Sequence, residues 1–132
     1  MTIIFKKPPE HIYQACVKQF GVSFDDGIIF AYNRHIYSKY PMPDYKEVHE
    51  NTHLLQQTLI GSADVWWEKY LEDKEFRLEQ EIQAYKAEMR YVKEYIKNRE
   101  IVAQIRHQNA IDLSSEKYGK IISYTEAHRI LL

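Results

Sequence analysis

Apolar positions in this chain recur with two periods, and the breaks between the blocks carry turn and cap residues. Ile12, Ala15, Cys16 and Phe20 return at helical spacing after Pro8-Pro9-Glu10 and before Gly21, which predicts a first helix. Val22-Ser23-Phe24 and Ile28-Ile29-Phe30-Ala31-Tyr32 read as strands on either side of the turn-forming Asp25-Asp26-Gly27. His35-Ile36-Tyr37-Ser38-Lys39-Tyr40 alternates apolar and polar, as a further short strand would. Pro41-Met42-Pro43 then breaks the chain. Asp44-Tyr45-Lys46-Glu47 has the residue types of a capping box, and a helix is expected from Tyr45 to about Leu59, with Val48, Thr52, Leu55 and Leu59 as its inward stripe.

Gly61 and Ser62 mark the end of that helix and the cap of the next, a short one carrying Trp66-Trp67 and Tyr70-Leu71. From about Lys74 the residues Leu78, Ile82, Tyr85, Met89, Val92 and Ile96 recur by four and three, a continuous apolar seam on one long helix. The pattern weakens near Asn98 and resumes with Ile101, Ile105 and Ile111. A last cap, Ser123-Tyr124-Thr125-Glu126, opens a short helix with Ala127, Ile130 and Leu131. The expected class is α+β and helix-rich: one domain over 1–132, with a small two- or three-stranded sheet beside the helices.

Composition narrows the function classes. Eighteen basic residues against nineteen acidic ones leave a net charge of -1, which gives no electrostatic reason to expect nucleic acid or an anionic membrane as partner. The single cysteine, Cys16, excludes an intramolecular disulfide and a thiolate zinc cluster, and fits packing in a protein of a reducing cytoplasm. No apolar run approaches a membrane span. The N-terminal charges follow a very short apolar patch, the reverse of a secretory signal.

The run His49-Glu50-Asn51-Thr52-His53 changes this plain picture. Two histidines one turn apart on a helix place their Cβ atoms about 6 Å apart on one face, which suits two ligands of a zinc ion. Glu50 lies about 100° round the helix, within reach of a water that such an ion activates. A catalytic zinc takes three protein ligands and keeps one position open. The third is then His, Asp or Glu, and the long helix offers Glu79, Glu81 and Glu88, of which Glu81 flanks the apolar seam one turn before Tyr85. His11, His35, His107 and His128 share no ligand spacing and read as surface residues. Trp66-Trp67 read as packing beside the active helix.

The stretch from Pro41 to Tyr85 resembles the small zinc peptidases of the gluzincin group, in which a glutamate on a later helix completes HExxH. Their later helix often reads Glu-x-Glu-Ala-Asp; here Glu81-Ile82-Gln83-Ala84-Tyr85 matches at Glu81 and Ala84 and departs at Gln83 and Tyr85. More closely, about two thirds of the chain is similar to short HExxH proteins encoded by tailed bacteriophages and prophages. The shared features are Pro-x-Pro-Asp, Gln56-Gln57, Trp66-Trp67-x-x-Tyr70, the segment Phe76 to Tyr85 and the tail from Leu113 to Ala127. The resemblance implies zinc held by His49, His53 and Glu81, Glu50 as general base, a protein or peptide substrate, and a host-cytoplasmic or virion location. The alternative is an inactive zinc-binding module that docks on another protein.

Overall fold

Where Pro8-Pro9 interrupts the chain, the computed structural model, which describes residues 2–132, starts its first helix, α1 (Glu10–Phe20). Gly21 ends it in the left-handed region at φ 66°. Five more helices follow among the described residues: α2 (Asp44–Ile60), α3 (Ala63–Glu72), α4 (Lys74–Tyr95), α5 (Arg99–Leu113) and α6 (Tyr124–Ile130). Side-chain caps set most of these starts. Ser62, Asp73, Asn98 and Ser123 each accept from first-turn amides of the helix they precede. The weakening of the seam near Asn98 is therefore a real break between α4 and α5.

The sheet is small and mixed: β1 (Thr2–Ile4), β2 (Phe30–Tyr32) and β3 (His35–Tyr37), in the order β1-β3-β2. With six helices around it the fold is α+β and helix-rich. Its strands differ from those expected. Val22-Ser23-Phe24 is not a strand, because Ser23 Oγ accepts from the Asp25 amide and closes a 3-10 turn over Phe24–Asp26 that ends at Gly27. Strand pairing begins only at Phe30, and the third strand stops at Tyr37 rather than Tyr40. The hairpin turn is Asn33-Arg34, both at positive φ (48° and 74°), the backbone that matches the twist of a two-residue hairpin. Thr2–Ile4, too short to announce itself, pairs parallel to β3.

Two features of α2 also depart from expectation. The capping box does not form: Pro43 is the cap residue and gives no side-chain bond, while Asp44 already lies in the helix. The helix is also turned. Leu55 and Leu59 are 59% and 78% exposed, and the buried face carries His49, Glu50, His53, Gln56 and Gln57. The two stripes differ by one residue, a rotation of about 100°. The polar stripe is inward because it packs between α4, α3 and β2, which supply it with partners.

One apolar cluster gathers Ile12, Cys16, Phe24, Phe30, Trp66, Trp67 and Tyr70, and another gathers Tyr85, Met89, Val92, Leu113 and Leu131. The buried polar face of α2 sits at their boundary. The His53 ring packs 5.1 Å from Trp66 of the first cluster, and the His49 ring 4.4 Å from Tyr85 of the second. No helix among the described residues is long and apolar enough to cross a membrane.

Candidate metal centre

His49 and His53, one turn apart, share the inward face of α2, and Glu50, about 100° round from His49, still falls on its buried side. All three are buried, and their ligand atoms lie within 4.8 Å of one another. Across from them, Glu81, Ala84 and Glu88 form one face of α4 at spacings of three and four. Ala84 is fully buried, and its small side chain lets the two helices approach. Glu81 Oε1 sits 3.1 Å from His49 Nε2 and 3.2 Å from His53 Nε2. The structure thus brings His49, His53, Glu50 and Glu81 together. Of the other two glutamates considered, Glu79 is exposed and Glu88 stands behind His49.

The hydrogen bonds behind the imidazoles decide what the front can do. Gln56 Nε2 donates to the Gln80 carbonyl at 3.1 Å and to Gln83 Oε1 at 2.9 Å. Because that carbonyl can only accept, Gln56 presents its oxygen to His53 Nδ1, 2.8 Å away. His53 Nδ1 therefore carries the hydrogen. Glu88 imposes the same arrangement on His49, accepting from Nδ1 at 3.1 Å while Lys46 and Asn109 donate to its carboxylate. In the neutral rings both Nε2 lone pairs then point at Glu81 Oε1. The other oxygen, Glu81 Oε2, accepts from the Tyr70 hydroxyl at 2.6 Å.

Three electron-pair donors converging on one point repel unless a cation lies among them. Protons can serve, and so can a metal. Ligands roughly 2.0–2.1 Å from a tetrahedral centre stand about 3.3 Å apart, close to the observed 3.1 and 3.2 Å. The donor set of two imidazoles and a carboxylate, each imidazole backed by a hydrogen-bond acceptor, fits zinc. Glu50 has a separate place. Its Oε2 is buried without any hydrogen-bond partner, so this carboxylate is not spent on holding the site together.

The electrostatics follow from burial and pairing. Burial opposes charge on His49, yet hydrogen bonds to Glu81 and Glu88 outweigh it and raise the imidazole to about 9. His53 is also raised: burial works against it, and the Glu81 charge prevails. Glu81 is lowered, burial being overcome by the two imidazoles. Glu50 moves the other way, raised chiefly by burial, with His49 and His53 offsetting part of the effect.

The donors open into a cavity of about 310 Å³ bounded by α1, β2, α2, α3 and the segment around Tyr118. Trp66 and Trp67, expected as packing, are core residues and also border this cavity. Sequence reasoning did not single out Gln56, Tyr70 or Lys46 for the centre. Available signals were Gln56 at three residues past His53, and Glu88 at seven past Glu81 on one helical face. Tyr70 had none, since nothing local tells which of eleven tyrosines meets Glu81. Comparison with protein-family models, curated proteins and solved structures gives no match.

Proposed function

We propose that the chain is a zinc-dependent peptidase, with His49, His53 and Glu81 as the ligands and Glu50 as general base in water attack on a peptide bond. The observation that carries this reading is the convergence of both Nε2 atoms on Glu81 Oε1 beside a buried Glu50 whose Oε2 has no partner. When bound, zinc supplies a Lewis acid that brings the pKa of a water to about 7 and polarises a carbonyl. Glu50 takes the proton on Oε2. Burial raises its pKa, which makes it a stronger base toward that proton than a solvated carboxylate and lets it pass the proton to the departing nitrogen. Glu88 and Gln56 fix the imidazole tautomers, and Tyr70 fixes the Glu81 carboxylate. The resemblance to short phage-encoded HExxH proteins supports the zinc site.

The test begins with elemental analysis of the purified protein, with His49→Ala as control. Glu50→Gln should keep zinc and lose cleavage of unfolded-protein and peptide substrates. Undiminished cleavage by that variant refutes the role given to Glu50. Full zinc occupancy without turnover on native, unfolded or cell-wall peptide substrates would make the ion a stiffener of a docking module instead.

A further inference from the structure

A carboxylate as deeply buried as Glu88, which is 0% exposed, has to find its hydrogen-bond donors inside the fold. Oε1 accepts from His49 Nδ1 at 3.1 Å and from Lys46 Nζ at 3.2 Å. Oε2 accepts from Lys46 Nζ at 3.0 Å and from Asn109 Nδ2 at 2.6 Å. Asn109 closes the circuit, because its Oδ1 accepts from Lys46 Nζ at 2.9 Å. An ammonium can only donate, so Oδ1 faces Lys46 and Nδ2 is left for Glu88. Lys46, Glu88 and Asn109 thus form a ring of side chains from α2, α4 and α5, and the Glu88–His49 bond joins that ring to the donor set.

Asn109 is the member that its own surroundings explain least. It lies inside α5, where asparagine is among the weaker helix formers, and it is 1% exposed against Met89 Sδ. An apolar residue there would simply extend the cluster of Met89, Val92 and Leu113. We propose that Asn109 is a positioning residue for the metal centre: with Lys46 it holds the Glu88 carboxylate on His49 Nδ1, so that α5, which carries no ligand, helps to aim His49 Nε2 at the ion. The inference rests on the metal-binding part of the reading above and does not depend on peptide cleavage. The two supports differ in kind. The Lys46 side chain is 26% exposed and reaches both carboxylate oxygens, so alone it leaves the carboxylate free to turn. Asn109 binds Oε2 only and fixes which oxygen is left for the imidazole.

Zinc affinity by chelator competition and NMR of the imidazole protons, both on the full chain, test the inference. Asn109→Leu removes both amide bonds at similar volume, and Lys46→Met removes the ammonium while keeping the stem. Contacts behind a metal-bound histidine are worth about 10–100-fold in affinity, and each of these changes, acting one bond further out, should cost about tenfold. In a Glu88→Gln background Asn109→Leu should cost almost nothing more, because the group it acts through is already altered; a merely structural role would cost the same in both backgrounds. In the zinc-loaded variant the His49 Nδ1 proton should exchange faster with water and broaden, while that of His53, held by Gln56, stays sharp. If Asn109→Leu is too unstable to assay, Asn109→Ala carries the same comparisons. Unchanged affinity in the Asn109 variants, or equal losses with and without Glu88, overturns the inference and leaves the metal site standing. Absence of zinc binding by the unaltered protein removes the metal reading and the inference with it.

Discussion

If the imidazoles and Glu81 are held together by protons whenever no metal is present, zinc and protons must compete for the same place, and pH will expose it. The His49 imidazole is raised from an ordinary 6.5 to about 9 by its two carboxylate partners. A group with a raised folded pKa contributes stability that is fully present below its unfolded value and is lost as pH rises through its folded value. The metal-stripped protein should therefore lose stability between pH 6.5 and about 9. The difference of 2.5 units corresponds to roughly 3 kcal/mol at 1.36 kcal/mol per unit. It is counted once, since the lowered Glu81 belongs to the same ion pair. For a domain of this size that is a fall of roughly 10 °C in Tm. The Glu81 contribution has the opposite sign: present above its ordinary 4.5, it disappears as pH drops through its lowered folded value. Zinc must displace the His49 proton, and that of His53 wherever that ring is also charged, so its apparent affinity should climb at least about tenfold per pH unit up to about 9. At pH 7, two units below, competition from the His49 proton alone costs about 100-fold. Thermal melts of chelator-treated protein from pH 5 to 9.5, with and without metal-buffered zinc, measure both slopes. A stripped-protein Tm flat from 6.5 to 9, or a zinc-induced shift independent of pH, refutes the reasoning.

Two further outcomes follow from the contacts behind the site and from the turned helix. Glu88→Gln removes the charged acceptor from His49 Nδ1 and leaves Lys46 without its ion pair, so zinc affinity measured by chelator competition should drop about 10–100-fold; an unchanged affinity would show that Glu88 does not hold the ring. Leu59→Lys, on the outward face at 78% exposure, should change stability by no more than about 0.5 kcal/mol in urea unfolding, whereas a loss of several kcal/mol would mean that the face is covered.

What the chain determines by itself is local. Several helix limits were legible because caps and stripes act within a few residues: Ser62 and Ser123 bond the amides beside them wherever the rest of the chain goes. The pairing of His49 with His53 was legible for the same reason, since one helical turn fixes it. Strands were harder, because three-residue strands gain stability only from a neighbour, and β1 finds its own in β3, more than thirty residues away. The tertiary structure alone decided which face of α2 turns inward. On hydrophobicity the Val48–Leu59 stripe should have gone inside, but the polar stripe meets Glu81, Glu88, Gln80 and the Ala31 carbonyl, and so is buried with nearly all its polar atoms satisfied. Glu50 Oε2 is the exception. Burial of polar groups depends on partners that sequence spacing cannot supply, because they arrive from helices and strands remote along the chain.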